Sequence, residues 1–419
     1  MTTSVPTAQS ANVFLDETHA ASAAAVPLAT WIGFYFSFRL FFVLLAVRVF
    51  GQDAQVGVAA SLAINYLFLL VAATYAFGPA PRTLRSLMNL PCLKWVIVYL
   101  GFTGISLFWS ITSSLPAAAA FWCAMVADTA VVLLLLRSDP VDAVVNSLMR
   151  GYVWASCLIA AIAWMLPAQS DLRLGDEELL GPNQIGWVCA FAFFFAQYLM
   201  RNKAGNWTAQ AFLLAITLLR SLSKTTIIAF LAAQLYILLR DRSMSRRTKA
   251  MFTLAAVLVV VAFSSLLTNY YDVYTNAGTE SETLTGRLGI WAYFLSEAID
   301  KPWLGHGFHS VWLVIPPFYD GFQARHAHNE LLQQFYAYGA AGIFMLVAAY
   351  GSVLRQSRRL TDASLRTFLI GMLIFAVVRG LADTEAFDLS LPTWFIAIIG
   401  ALIEQSRQRD QQSFSRGTA

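Results

Sequence analysis

The sequence predicts an all-α polytopic membrane protein, and three observations carry that prediction. Hydrophobic residues make up 58% of the 419 and charged residues only 12%, with a mean hydropathy of +0.61, whereas a soluble domain carries about 25% charge. Apolar windows of about 20 residues, long enough to cross ~30 Å of hydrocarbon, recur along almost the whole chain. Most of the 28 Lys and Arg fall in alternate connections, as expected where cytoplasmic loops collect positive charge.

About twelve spans follow, over 31–50, 57–78, 92–112, 115–136, 148–167, 185–200, 206–221, 224–240, 249–267, 331–354, 366–382 and 389–405. The organisation reads as a cytoplasmic N-terminal tail over 1–30, a transmembrane domain over 31–405 and a cytoplasmic C-terminal tail over 406–419. Residues 1–30 have no basic n-region and no sustained apolar core, so they do not read as a cleavable signal. The four cysteines, Cys92, Cys123, Cys157 and Cys189, fall inside spans, where a small thiol is ordinary packing. No disulfide framework or zinc pattern follows. The net charge of +4 records which side the loops face rather than nucleic-acid binding.

With both termini inside, the long connection over 268–330 is extracytoplasmic. A segment of that length without a span is functional or disordered. Its stretch "TLTGRLGIWAYFLSEAID" reads as a helix, with Thr283 or Thr285 as N-cap and with Leu288, Trp291, Leu295 and Ala298 or Ile299 on one face. Pro302 ends it. Acids dominate the outer side, so basic residues placed there near membrane level draw attention.

Four of the five histidines, His306, His309, His326 and His328, lie in this connection. For His306 and His309 the plain reading is loop hydrogen bonding. "RHAHNE", Arg325 to Glu330, sits at the mouth of an apolar helix. A neutral imidazole there can accept a proton from an attacking hydroxyl near pH 7, which makes His328 the candidate base. Asn329 could orient the ring or a substrate hydroxyl, and Glu330 could support the imidazolium. The competing reading is a polar helix cap at the membrane surface.

Arg287, beside a predicted helix N-terminus, could share an anion with free backbone N–H groups, or else lie at the interface among Trp291 and its neighbours. Arg220 and Lys224, four residues apart, share a face if their segment is helical. "GPNQIG" starts a span on the same side and offers Asn183. Cations grouped with one basic histidine suggest an anionic leaving group and a hydroxyl nucleophile.

"TLTGRLGIWAYFLSEAIDKPWLGHGF", followed by "HAHNELLQQFYAYGAAG", resembles the O-antigen ligase and polymerase superfamily, with its G-R-x-x-x-W, P-x-x-G-x-G-F and H-N segments. "SLSKTTIIAFL" is similar to that family's S-[R/K]-[T/G] segment. The resemblance covers roughly residues 180–345 in motifs, and the earlier spans in hydropathy alone. It implies a glycosyltransferase of GT-C-type membrane architecture that moves a glycan from undecaprenyl diphosphate to a sugar hydroxyl, inverting the anomeric carbon and needing no metal or other cofactor. Arg287 and Lys224 would hold the diphosphate and His328 would activate the acceptor. Arg220 and Arg325 are added to the diphosphate set from spacing, and His326, Asn183 and Trp291 are the substrate-binding candidates. Lysine at 224 stands where many relatives have arginine, which trades a bidentate fork for a point charge.

The implied setting is the bacterial inner membrane, with the site on the periplasmic side. The implied partners are a lipid-linked glycan donor, a glycan or lipid A-core acceptor, membrane lipids, and a chain-length regulator or other polysaccharide-assembly proteins, with no nucleic acid. "ETLTGRLGIW" looks closest to polymerases of exopolysaccharide repeat units, with an O-antigen ligase as the alternative. A transporter or lipid-linked glycan flippase is the non-enzymatic alternative. It is disfavoured because no internal repeat is visible and the clearest intramembrane charges are one pair, Arg39 and Asp128.

Overall fold

The computed structural model describes residues 26–417 apart from 40, 77–81, 168, 170–172, 177–178, 241–244, 252, 255–283, 313 and 318–322. Every predicted span coincides with a helix except 249–267, most of which lies outside the described residues. Besides a short helix over Leu84–Met88, the helices described are α1 (Val26–Phe38), α2 (Phe41–Val49), α3 (Ala54–Ala76), α4 (Leu93–Ile105, continued by a 3-10 turn to Trp109), α5 (Leu115–Ser138), α6 (Val141–Met165), α7 (Pro182–Arg201), α8 (Thr208–Arg220), α9 (Lys224–Arg240), α10 (Leu284–Asp300), α11 (Glu330–Arg358), α12 (Ala363–Gly380) and α13 (Thr393–Gly417). By length and composition, 5 of them are long and apolar enough to cross a membrane, or 6 if the bent pair α1 and α2 forms one span. This is a multi-pass membrane protein. Among the described residues there is no strand, only an isolated bridge between Asp176 and Leu180.

Short polar residues start the helices where the sequence places them. The Ser114 hydroxyl accepts from the Ala117 amide ahead of α5, and Asp362 accepts from the amides of Ser364 and Leu365 ahead of α12. Each satisfies backbone donors that the first helical turn leaves open. α9 packs on α12, α3 on α5, and α7 on both α6 and α8. Between membrane helices, van der Waals fit carries association, so small residues gather where backbones approach. At Gly151 of α6 a Cβ would lie 1.8 Å from the Thr30 carbonyl oxygen of α1. Phe191, Phe195, Phe375, Trp394 and Phe395 form a buried aromatic core. Cys92, Cys157 and Cys189 are buried, whereas Cys123 is exposed on α5. Arg39 and Asp128 do form an ion pair.

α10 exists as predicted, and Trp291 and Ala298 lie on its packed side as expected, but Leu295 does not. Ile290, Phe294 and Ala298 pack with Tyr336 of α11, and Trp291 packs on their edge, while Leu295 is 47% and Ile299 61% exposed. The apolar positions of this helix extend beyond the stripe that packs on α11, so periodicity alone does not single out the packed side. Thr283 lies outside the described residues.

α11 is broken at Gly339, whose backbone stands at φ 62°, ψ −154°. The loop after α10 docks on that break through Ala340 N–H to the Pro302 carbonyl at 2.7 Å, Gly307 N–H to the Ala337 carbonyl at 2.7 Å and His306 N–H to the Tyr336 carbonyl at 3.0 Å. A Cβ at Gly339 would come within 2.4 Å of the Trp303 carbonyl carbon. Gly339→Ala should therefore lower stability by about 1–3 kcal/mol, read as an earlier thermal unfolding midpoint in detergent. Gly351→Ala, in the same helix with open space around it, should leave the midpoint unchanged or raise it slightly. Equal effects from the two would refute the docking account.

Candidate active site

The site forms where the start of α11, the end of α12 and the turn between α8 and α9 meet. Asn329 is the N-cap of α11. Its Oδ1 accepts from the Leu332 amide at 3.0 Å and its Nδ2 donates to the Leu381 carbonyl at 3.0 Å. The polar-cap reading thus holds for Asn329, and both ends of its amide are occupied by backbone. His328, one residue earlier, is left in the left-handed region at φ 49°, a conformation in which histidine is enriched among side-chain-bearing residues.

The His328 Nδ1 lies 3.4 Å from the Asp383 carboxylate. Asp383 is therefore the carboxylate beside the ring, a role the sequence reading gave to Glu330. Glu330 is buried elsewhere, accepting from the Tyr350 hydroxyl at 2.8 Å and the Ser390 amide at 2.7 Å. His326 stands with its ring centroid 4.1 Å from that of His328, and its Nδ1 accepts from the His328 amide at 3.2 Å. Burial, reinforced by neighbouring His328, lowers the His326 pKa to about 3. His326 is neutral at pH 7.

Asp383 is held by Arg379, 3.0 Å away, and Arg379 also reaches Glu385 at 2.9 Å. Arg379 is 3% and Asp383 2% exposed. Burial pushes the Asp383 carboxyl up, but Arg379 and the contact with His328 outweigh it, so the group sits well below the usual carboxylate range. It is charged at neutral pH. The Trp187 ring lies 5.7 Å from the Arg379 guanidinium, a cation–π contact that offsets part of the desolvation.

A line of polar contacts leads away from this segment. Arg287 in the first turns of α10 donates to the Ala382 carbonyl at 2.6 Å and to the Thr225 hydroxyl at 3.2 Å. Lys224, exposed at the start of α9, feels the positive charge of Arg173 and Arg287. Ser223 donates to Asn183 Oδ1 at 2.8 Å, and Arg173 donates to the same oxygen at 3.2 Å. Arg287, Lys224 and Asn183 thus come together, and Arg173 joins them. The helix breaks between Arg220 and Lys224, with Leu222 at φ 54°. These two cations therefore do not share a continuous helical face as the sequence reading supposed.

Arg325 lies over the Trp312 ring at 5.5 Å. Trp291 packs at the edge of the α10–α11 cluster. His306 donates from Nδ1 to the Tyr336 carbonyl at 3.1 Å and stacks on its ring at 4.5 Å, as the plain reading expected. Sequence reasoning passed over Asp383, Arg379 and Arg173. Arg173 and Arg379 carried a signal, being basic residues on the otherwise acidic side. Asp383, one acid among several there, carried none.

His326, His328 and Asp383 offer ligand atoms within 4.8 Å of one another, a spacing that a metal ion could use. The donor set fits one poorly: Arg379 already occupies an Asp383 oxygen, and the His328 amide occupies the His326 Nδ1. The adjacent guanidinium would also repel a cation.

Residues 209–347 match the O-antigen ligase family model. That span holds Arg220, Lys224, Arg287 and the whole "RHAHNE" segment, and it bears out the resemblance read from the motifs. Over 380 residues the chain is 25% identical to the exopolysaccharide production protein ExoQ of Rhizobium meliloti (strain 1021), covering 83% of each chain. It is 27% identical over 357 residues to the O-antigen ligase of Pseudomonas aeruginosa (strain PAO1), covering 78% of this chain and 81% of that one. Asp383 and Arg379 lie beyond the matched family segment.

Removing one partner of a buried ion pair strands the other. Arg379→Met should accordingly destabilise the protein by about 3–5 kcal/mol, read from its unfolding midpoint. Adding Asp383→Asn and Glu385→Gln to it should recover part of the loss. No recovery would mean that Arg379 acts through packing alone.

Proposed function

We propose that this protein is a membrane glycosyltransferase of bacterial polysaccharide assembly. In this reading it transfers a glycan from undecaprenyl diphosphate to a sugar hydroxyl on the periplasmic side of the inner membrane, with both termini cytoplasmic. One observation carries the reading. The segment Leu381–Asp383 binds a helix cap, a cation and a histidine at three successive residues, through the Leu381 carbonyl to Asn329, the Ala382 carbonyl to Arg287 and the Asp383 carboxylate to His328. A base and an anion-binding group are thereby fixed against each other.

The chemistry follows from those roles. His328 takes the proton of the acceptor hydroxyl, and Asp383 stabilises the imidazolium that forms, as a buried carboxylate does beside a catalytic imidazole. The acceptor oxygen bonds to the anomeric carbon while the bond from that carbon to the diphosphate oxygen breaks. The diphosphate leaves with the electron pair, and backside attack inverts the centre. Arg287, Lys224 and Arg173 receive the charge that grows on the leaving group, which is where preorganised cations accelerate a transfer most. Asn183 positions Arg173. No metal is required, because the cations supply the charge.

Polymerisation of exopolysaccharide repeat units is the favoured form, on the resemblance of "ETLTGRLGIW" to such polymerases, and the likeness to an exopolysaccharide production protein over 83% of the chain agrees with exopolysaccharide as the product. The O-antigen ligase likeness favours a second form, transfer to lipid A-core. Purified protein in lipid, given an undecaprenyl diphosphate-linked repeat unit with or without lipid A-core, distinguishes them. A product ladder from donor alone is the expected result, whereas a single transfer requiring lipid A-core would make the protein a ligase. No donor consumption in either arm would reject the enzyme reading.

His328→Ala should lower turnover by about 10²–10⁴-fold, and Asp383→Asn should move it in the same direction. A chelator should leave it unchanged. Normal turnover in the His328 variant would remove the base assignment. Arg287→Ala should abolish donor binding at concentrations that saturate the wild type, with Arg287→Lys partly active, as checked by donor-dependent rates. Unchanged donor affinity in both variants would count against the diphosphate role.

A further inference from the structure

After α10 the chain makes a turn that is both apolar and outward-facing. Pro302, Trp303 and Leu304 are all exposed, Trp303 at 76% and Leu304 at 51%. Large apolar side chains grouped on a surface mark a face that meets a membrane or another protein. Two features of this turn decide between them.

The first is what the turn adjoins. α4 exposes Ile97, Val98, Ile105 and Phe108 at helical spacing, with Phe108 at its outer end 92% exposed. α11, long enough to cross a membrane, exposes Phe344 and Val347 beyond its break. The Trp95 ring of α4 packs against Phe344 at 5.7 Å, so these two apolar stripes are neighbours. In a membrane protein, such stripes face acyl chains. The turn is bound to the ends of both. Trp109 Nε1, one residue after Phe108, donates to the Leu304 carbonyl at 3.3 Å, and the Ala341 amide donates to the Trp303 carbonyl at 3.3 Å. The exposed turn is therefore continuous with the lipid-facing surface.

The second is how its backbone is satisfied. Carbonyls of a turn in water can bond to solvent, whereas in an apolar medium each must find a partner in the protein. Four successive carbonyls have one here although their residues are exposed. Lys301 accepts from the Gly305 amide at 3.0 Å and Pro302 from the Ala340 amide at 2.7 Å, and Trp303 and Leu304 accept as above. Asp300 and Lys301, both exposed, place charge immediately before the apolar residues. That charge limits the depth. Tryptophan between a charged flank and an apolar one belongs at headgroup level, and a lysine stem there can lie along apolar surface with its ammonium among the headgroups.

We propose that Pro302–Leu304 is a membrane-interface anchor. Trp303 and Leu304 insert at the boundary between headgroups and acyl chains, in the leaflet that surrounds the outer end of α4. The partner is lipid. Through Lys301 the anchor ties the end of α10 to the membrane surface, and through Ala340 and Ala341 it seats the break in α11 there. The anchoring is independent of the glycosyl-transfer reading.

The test uses the full-length protein in nanodiscs of phosphatidylethanolamine and phosphatidylglycerol. Cys123→Ser removes the exposed cysteine, and one spin label is attached at an introduced cysteine: Trp303→Cys or Leu304→Cys in the turn, Phe344→Cys on α11, or Gln411→Cys in the charged end of α13. Collisions with dissolved oxygen, which concentrates in lipid, are compared with collisions with a water-soluble nickel chelate. The oxygen-to-nickel ratio at 303 and 304 should exceed that at 411 by at least about threefold and stay below that at 344, as for side chains at the interface. Both side chains are exposed, so the labelled variants should keep the unfolding midpoint of their parent. A smaller excess at both turn positions would put the turn in water and overturn the anchor. Labels at 303 and 304 shielded from both reagents would mean that protein, such as a second copy of this chain, covers the turn, and would overturn lipid as the partner.

Discussion

Arg379 is the charge around which the site is arranged. It ends α12 in an apolar environment, where an unpaired guanidinium would be costly, and it is tolerated because Asp383 and Glu385 both reach it. That requirement fixes the chain after α12, since the two carboxylates must turn back toward the helix end they have just left. Once turned, the segment exposes the carbonyls of Leu381 and Ala382 to Asn329 and Arg287. The remaining side of Asp383 faces His328. A single desolvated cation thus positions the segment that meets Asn329, Arg287 and His328. A buried pair adds little net stability compared with apolar packing, but breaking it is expensive, so its effect is to allow one arrangement of these elements rather than to strengthen the fold.

The break in α11 has the complementary role. A helix continued straight through Gly339 would satisfy its own backbone groups and leave nothing for the loop after α10 to bind. With the helix interrupted, carbonyls at Tyr336 and Ala337 receive the amides of His306 and Gly307, and the Ala340 amide finds Pro302. Inside an apolar solvent such freed groups must find partners in the protein. The loop supplies them, and in doing so it carries His309, Ser310 and Trp312 to the same helix that starts with "RHAHNE".

Much of this was legible in the sequence, for a definite reason. Hydropathy reports burial in lipid or protein alike, so the helices from Ala54 to Thr393 appear close to where the windows place them, while the buried side of α10 does not. The short polar motifs were legible because a cation or a histidine in a chain with 12% charge has few ordinary explanations. They identified Arg287, Lys224 and Asn183, which lie along one line of contacts, and His328, which reaches the same Leu381–Asp383 segment as Arg287. Pairing was not legible. Glu330 is two residues from His328 in sequence but helix geometry turns it toward Tyr350, and Asp383 arrives from over fifty residues away through a turn dictated by Arg379. The continuity assumed between Arg220 and Lys224 failed on one left-handed residue, Leu222, which no periodicity reveals.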